Sequence, residues 1–147
     1  MDSKSSFKPN IRLYEGRAGV MEVYNLTLDL SKEDEILIYG TKSVETNYQD
    51  FISEYLKNRV KKKIKVKAIL PDTPENREVL NRDKDELRQT RFLPVNQFKQ
   101  KTEVNIFGHS IAYIAHSEKE PFATVIENPT LAEEEKSRFN LLWQIAK

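Results

Sequence analysis

The 147-residue chain contains no cysteine, only four glycines and only two histidines. The absence of cysteine excludes disulfides, thiolate catalysis, zinc knuckles and iron–sulfur clusters. Four glycines do not form a dinucleotide-binding fingerprint or a phosphate-binding loop, and His109 and His116 do not form a His-Glu-x-x-His zinc pattern. We therefore expect neither a cofactor nor a metal ion.

Long apolar runs and a strong net charge are also absent. No apolar stretch approaches the ~20 residues of a membrane-spanning helix, and the first six residues lack an apolar signal region. A formal net charge of +1 gives no global attraction to DNA or to an acidic membrane. Hydrophobic residues make up 38% of the chain, enough for one buried core. The sequence predicts a cytoplasmic protein without membrane contact, with a tail or linker over 1–10 and one domain over 11–147.

The spacing of apolar residues predicts alternating strands and helices. In the first half, the predicted elements are a strand over 11–14, a turn over 15–19, a helix over 20–30, a strand over 36–39, a helix from 44 to about 61 and a strand over 64–70 that Pro71 ends. In the second half, they are a short helix after Thr73, strands over 90–93, 104–107, 111–115 and 123–126, and a final helix from about 129 with a capping box over 130–133. This order predicts a single α/β domain with a mixed β-sheet sandwiched by helices, in which the run 36–39 is a central parallel strand.

Polar and aromatic side chains end two of these strands. In open α/β sheets, ligands bind beyond the carboxyl ends of the parallel strands. The residues at those ends are Tyr14, Glu15, Tyr39, Gly40, Thr41 and Ser43. They suit a small polar molecule such as a sugar, although ordinary turn chemistry explains them equally simply.

Three further residues are candidates for ligand binding. His109 and His116 flank one predicted strand and could sense pH or hold a ligand, or simply lie exposed beside turns. Arg91, with Arg88 before it, could clamp a carboxylate, a phosphate or a sugar hydroxyl, or could pair with an acidic side chain. The complete predicted ligand-binding set is Tyr14, Glu15, Tyr39, Gly40, Thr41, Ser43, Arg91, His109 and His116.

Seven basic residues occur without an intervening acid between Lys57 and Lys67. They could form a phosphate-binding stripe, but cations at a helix C-terminus that leads into a strand are the simpler interpretation. In the last helix, Phe139 and Trp143 are expected in the core, and any part left exposed would form a dimer seam.

Five segments in order resemble the C-terminal domain of TrmB-like transcriptional regulators, whose fold is that of half a phospholipase D. The resemblance covers residues 9–147. The segments are Arg12-Leu13-Tyr14-Glu15-Gly16, Phe51 to Lys62, Leu87 to Pro94, Ile106-Phe107-Gly108, and Val125 to Asn128 followed by a helix that contains Phe139 to Trp143.

This resemblance implies a module for effector sensing and dimerisation. Such regulators read DNA through an N-terminal winged helix, and no such domain precedes Ile11 in this chain. DNA contact is therefore expected only through a winged-helix domain not present here. Whether the chain is an excised domain or a shortened paralogue stays open.

Catalytic phospholipase D relatives use a His-x-Lys motif followed by Asp, in which His is the nucleophile and Lys neutralises phosphate charge. Here Ile111 follows two residues after His109, and Glu118 follows two after His116. Gly108-His109-Ser110 stands where we expect the motif. The sequence thus predicts a noncatalytic homodimeric domain that binds a small polar effector. A degenerate phosphodiesterase or nuclease and a ligand-free dimerisation scaffold are the alternatives.

Overall fold

The structure, a computed structural model, describes residues 8–41 and 48–147. In these ranges seven strands form one sheet. They are β1 (Asn10–Glu15), β2 (Glu35–Tyr39), β3 (Lys65–Asp72), β4 (Arg88–Pro94), β5 (Glu103–Phe107), β6 (Ser110–Ala115) and β7 (Phe122–Glu127). The α-helices in the same ranges are α1 (Gly16–Leu26), α2 (Gln49–Lys61), α3 (Pro74–Arg77) and α4 (Pro129–Ile145). Short 3-10 turns follow α1 over Thr27–Asp29 and α3 over Glu78–Asn81.

The strand order in the sheet is β1-β7-β6-β5-β2-β3-β4. Strands β2, β3 and β4 pair in parallel, whereas every other pair is antiparallel. The prediction of an α/β domain with a mixed sheet is confirmed. β2 is the strand where the two halves meet, because it is parallel to β3 and antiparallel to β5.

Helices cover both faces of the sheet. Successive strand side chains point to opposite faces, so each buried strand contributes to two cores. One core lies under α1 and α2 and includes Val20, Ile36 and Ile114. The other lies under α4 and includes Tyr39, Ile106 and Phe139. Phe139 is fully buried, as predicted.

The predicted turn over 15–19 is wrong, because α1 begins at Gly16 and includes Gly19. Gly16 has a φ of +72°, a left-handed conformation at the start of the helix that suits glycine. A Cβ atom on Gly19 would lie 2.7 Å from the backbone of Tyr14, so Gly19 permits close packing within a helix. The helix also ends at Leu26, four residues earlier than predicted.

Three other local predictions need comment. β3 continues through Pro71 to Asp72, because the β2 ladder has already ended opposite Ile69 and Pro71 loses no bond to it. The N-cap of α4 is Asn128, whose side chain accepts a hydrogen bond from the Leu131 N–H at 3.0 Å, so the capping box over 130–133 is wrong. The predicted cap at Thr73 is confirmed, since its side chain accepts from the Asn76 N–H. The predicted start of the second helix at residue 44 lies outside the described residues.

Candidate functional site

The candidate site lies at one edge of the sheet, which we call the carboxyl edge. The parallel strands β2, β3 and β4 all end there. β5 runs in the opposite direction and begins there at Glu103, and β6 ends there because Ile114 pairs with Glu103. β1 ends and α1 begins at the same edge, where Glu15 pairs with Phe122. His116, Glu15 and Gly40 are therefore brought to one side of the molecule, as expected for an α/β ligand crevice.

The segment after β2 is held by contacts within the protein. Tyr39 is buried under α4, with its ring centre 5.2 Å from that of Phe139, and burial raises the pKa of Tyr39 to about 12. The Gly40 N–H donates to the Ile69 carbonyl at 3.0 Å, and the Thr41 carbonyl accepts from the Asn76 side chain at 3.1 Å. Ser43 lies outside the described residues. A ligand role for this segment stays a prediction.

Tyr14 and His109 line a different cavity, of about 320 Å³, beside the turn between β5 and β6. His109 is exposed in that turn, and its carbonyl accepts from the Asn128 N–H at 2.8 Å. Glu15 is exposed at the carboxyl edge. The predicted site residues are therefore spread over separate regions.

The two histidines do not form a pair. They lie at opposite ends of β6, and a six-residue strand is about 20 Å long. Arg91 does not pair with an acid among the described residues, and a ligand role for it stays a prediction. Its Nη1 donates to the Trp143 carbonyl at 2.6 Å, and its guanidinium lies 4.5 Å from the centre of the indole ring.

Four polar residues form a buried cluster, which we call the Glu103 cluster. They are Tyr24, Glu103, Asn105 and His116. The Tyr24 hydroxyl donates to Glu103 Oε1 at 2.8 Å, and His116 Nε2 lies 2.9 Å from the same oxygen. Asn105 Nδ2 donates to Glu103 Oε2 at 2.7 Å. The carboxylate thus has three hydrogen-bond partners inside the protein, which a buried charge requires.

Side chains along β5 point alternately to the two faces of the sheet, and this alternation brings Glu103 and Asn105 to the same face. Glu103 and Asn105 point toward α1 and α2, whereas Val104 and Ile106 point toward α4. All five residues of β5 are buried. The sequence prediction missed the cluster because it started the strand at Val104 and treated Glu103 as part of the preceding loop. The signal was present, since polar residues at alternate positions of a buried strand must find partners inside the protein.

Tyrosines surround the buried carboxylate. Burial, and then the nearby charge of Glu103, raise the pKa of Tyr24 well above its usual value. Burial also raises the pKa of Tyr48 and of Tyr55. These hydroxyls therefore stay protonated at neutral pH, so Tyr24 remains a donor to Glu103.

One nitrogen of the cluster has no partner. His116 Nδ1 is buried and has no hydrogen-bond partner among the described residues. The His116 side chain as a whole is 10% exposed. The imidazole lines a cavity of about 520 Å³, which we call the Arg17 cavity. Its lining residues are Gly16, Arg17, Tyr48, His116, Ser117, Glu118, Lys119 and Pro121.

Three side chains stack in the wall of the Arg17 cavity. The Arg17 guanidinium lies 4.9 Å from the centre of the Tyr48 ring, and the Tyr48 ring centre lies 5.7 Å from that of His116. This stack joins the start of α1 and the start of α2 to the end of β6. The cavity therefore combines two cationic side chains, Arg17 and Lys119, with an imidazole braced by a carboxylate.

The His-x-Lys motif of catalytic phospholipase D relatives can be compared with two places in the structure, the turn at His109 and the buried strand β5. Gly108 and His109 form the turn between β5 and β6. Within residues 8–41 and 48–147, the buried polar side chains two positions apart on one strand are Glu103 and Asn105. A carboxylate and an amide thus take the spacing that a nucleophilic His and a Lys would need. This arrangement can accept and orient protons but supplies no buried ammonium group.

Two general searches of the described residues complete the description. They contain no group of three or more His, Cys, Asp or Glu residues that could hold a metal ion. They also contain no helix with the length and apolar character needed to cross a membrane.

No known protein family and no curated protein matches the sequence. Among solved structures, the chain is similar to TrmBL2, an archaeal chromatin protein with a novel mode of DNA binding, at a TM-score of 0.60 and 16% identity. That match covers 94% of this chain and 54% of TrmBL2, so the chain spans about half of the length of TrmBL2.

Two further similar structures are phospholipase D-type proteins of bacteria. Nuc from Salmonella typhimurium, a phospholipase D family member, matches at a TM-score of 0.68 and 14% identity, over 95% of this chain and 97% of Nuc. NucT from Helicobacter pylori matches at a TM-score of 0.66 and 11% identity, over 95% of this chain and 98% of NucT. The chain therefore has a phospholipase D-like α/β fold and is also similar in fold to the archaeal chromatin protein TrmBL2.

Proposed function

We propose that this chain is a noncatalytic effector-sensing and dimerisation domain of a TrmB-like transcriptional regulator, and that it binds a small polar ligand. The Glu103 cluster is the observation that carries this proposal. Its strand supplies a carboxylate and an amide, and the carboxylate is occupied by three donors within the protein. A group held in this way is suited to fixing the geometry of a binding site, and it offers no free nucleophile.

The mechanism we propose is differential binding. A ligand at the carboxyl edge would favour one arrangement of two copies of the domain, and a DNA-binding domain attached to the chain would report that arrangement. The similarity of the fold to TrmBL2, whose name describes a DNA-binding chromatin protein, supports a regulatory setting. We further propose that the domain works in the cytoplasm.

An uncovered sheet face supplies a surface for dimerisation. On this face of the sheet, β1 and β7 each present three side chains in register. They are Ile11, Leu13 and Glu15 of β1 and Ile126, Thr124 and Phe122 of β7, beside Ile111 of β6, which is buried in the core under α4. Ile11 and Leu13 are each 61% exposed. Phe139 is buried and Trp143 is half-buried, and we propose this sheet face, rather than the last helix, as the dimer seam.

A ligand screen tests the sensing proposal. The melting temperature of the chain would be measured with a panel of sugars, polyols and small anions at millimolar concentration. We expect at least one compound to raise it, because a ligand that binds only the folded state stabilises that state. A panel without any effect, in a chain that still dimerises, would favour the ligand-free scaffold instead.

A second candidate function is a degenerate phosphodiesterase or nuclease. The observation in its favour is that His116, braced by Glu103, lines the same cavity as Arg17 and Lys119. It predicts turnover of a bis-aryl phosphodiester that is lost in His116→Ala and kept in His109→Ala. Absence of turnover in the unmodified chain would remove this candidate.

A further inference from the structure

Among the described residues, His116 Nδ1 is the one polar side-chain atom of the Glu103 cluster that is buried without a hydrogen-bond partner. The side chain is nine-tenths buried, and its Nε2 is occupied by Glu103 at 2.9 Å. A buried polar atom without a partner destabilises the folded state, so native proteins retain few of them. Its position in the wall of the Arg17 cavity suggests that the missing partner is a ligand.

The surroundings of the cavity favour negative charge. The N-termini of α1 and α2 meet there, and neither N-cap residue, Glu15 or Tyr48, bonds a backbone N–H with its side chain. Helix N-termini carry partial positive charge, although the first N–H of α1, that of Gly16, already donates to the Pro121 carbonyl at 2.8 Å. Among the described lining residues, Arg17 and Lys119 are cationic and Glu118 is acidic.

The hydrogen bond to Glu103 determines what Nδ1 can do. With Nε2–H donated to the carboxylate, a neutral imidazole presents a lone pair at Nδ1 and an imidazolium presents an N–H. An oxyanion accepts hydrogen bonds, so it can meet Nδ1 only in the protonated form. The Glu103 carboxylate behind the ring balances the charge of that form. Because Nδ1 is covered, a side chain must shift for a ligand to reach it, and the Tyr48 ring is the group that packs on the imidazole.

We infer that the Arg17 cavity binds a small oxyanion together with one proton, which is taken up at His116 Nδ1. The inference rests on the proposed function, because it names the chemical class of the ligand. It replaces the neutral sugar of the sequence prediction with an anion.

Other titratable groups also face His116 or its cavity. Among the described residues, they are Tyr24 and Arg17 from α1, Tyr48 at the start of α2, Glu103 from β5, and Glu118 and Lys119 after β6, with Tyr55 of α2 near Glu103. Of these side-chain types, only imidazole ordinarily changes its protonation between about pH 5 and 8. A pH dependence in that range is therefore assigned to His116.

Calorimetric titration with sulfate tests the inference, because sulfate keeps its charge throughout this pH range. We expect its affinity to fall at least about tenfold between about pH 6 and about pH 8. At the upper pH, titrations in buffers of different ionisation enthalpy should show uptake of close to one proton per sulfate.

Two variants complete the design. His116→Gln keeps a nitrogen donor for Glu103 but cannot titrate, so residual sulfate binding should lose its pH dependence. His109→Gln lies at the opposite end of β6 and should leave the dependence unchanged. It also leaves a single imidazole in the chain, so NMR of this variant reports His116 directly, and sulfate should move its titration to higher pH.

Three outcomes would overturn the inference. They are no sulfate binding, sulfate binding that leaves the imidazole titration unchanged, and a sulfate affinity that rises with pH, which would mean that binding does not take up a proton at His116. If a neutral compound still stabilises the chain and changes its oligomeric state, the proposed function stands and the inference alone fails. If sulfate binds with a proton but no ligand changes the oligomeric state, the proposed function alone fails.

Discussion

Glu103 is the residue on which the site depends most. The residue is 5% exposed, and its carboxylate joins α1, β5 and the end of β6 through three hydrogen bonds. Removing one partner of a buried ionic network leaves the other groups without compensation. The residue therefore has a structural effect that can be measured independently of any ligand.

We predict that Glu103→Ala lowers the free energy of unfolding by about 2–4 kcal/mol, because Tyr24, Asn105 and His116 lose their acceptor. Urea unfolding at neutral pH measures the loss. The matched control is Glu118→Ala in the exposed loop, which should change the free energy by less than about 0.5 kcal/mol. Equal losses in the two variants would show that the cluster does not act as a unit.

Arg59 is a second buried residue that the sequence interpretation missed, because it lies within the basic run from Lys57 to Lys67. The run does form the end of α2 and the start of β3, as the simpler interpretation predicted. Arg59 itself is 1% exposed. It donates to the Ile64 carbonyl at 2.8 Å and to the Glu86 carbonyl at 2.7 Å, which ties α2 to the loop before β4.

We predict that Arg59→Met destabilises the fold by about 2–4 kcal/mol, because two buried carbonyls lose their donor. The control is Arg77→Met, which removes an exposed ion pair to Asp72 and should leave the urea midpoint nearly unchanged. A midpoint for Arg59→Met within error of that control would contradict this account.

At the scale of single elements, β1 is the strand through which we propose that two copies of the domain contact each other. It lies at the edge of the sheet and leaves Ile11 and Leu13 uncovered. Exposed apolar sheet faces of this kind mark interaction surfaces.

We predict that Leu13→Glu weakens self-association at least tenfold, because it places a charge within the proposed seam. Leu141→Glu is the matched control, since Leu141 is 63% exposed on α4 and lies outside the seam. Sedimentation velocity over a concentration series gives both dissociation constants. If Leu141→Glu weakens association and Leu13→Glu does not, the seam lies on α4.

The predicted elements show which features of a sequence are informative. Strands such as β2 and helices such as α4 follow from local apolar spacing, and the structure confirms them. The start of α1 was missed because Gly16 and Gly19 were interpreted as a turn, whereas Gly19 is required for contact with Tyr14. That contact is tertiary, and spacing along the chain does not contain it.

In the candidate site, too, local sequence patterns predict the position of strand ends but not the tertiary contacts between side chains. The sequence predicts that Glu15 and Gly40 follow strand ends, and both lie at the carboxyl edge; it does not predict that His116 lies there too. The partners of His116 come from α1 and β5, at 92 and 13 residues from it, and their pairing depends on register. The sequence leaves Arg91 open between a ligand clamp and a pair with an acid, and it does not predict the hydrogen bond to Trp143, 52 residues away on α4.

At the scale of the whole molecule, five tyrosines share one electrostatic trend. Burial raises the pKa of Tyr24, Tyr39, Tyr48, Tyr55 and Tyr113. A raised pKa means that folding favours the neutral hydroxyl. This contribution to stability is fully present below the unfolded tyrosine value of about 10 and is lost as pH rises through the higher folded values.

We therefore predict that the fold loses stability above about pH 10, and that tyrosinate absorbance in the native chain rises at higher pH than in the urea-unfolded chain. A spectrophotometric titration at 295 nm, with circular dichroism to monitor folding, measures both. Coincident titration curves for the folded and unfolded chains would contradict the burial of these hydroxyls.

The central claim is that this phospholipase D-like domain recognises a ligand and passes that event to a second copy of itself. The most direct test is sedimentation equilibrium of the purified chain, with and without the compound that raises its melting temperature most. We predict a change of about 5- to 150-fold in the dimer dissociation constant, the range of ordinary allosteric coupling. A dissociation constant that is the same with saturating ligand as without it would contradict the claim.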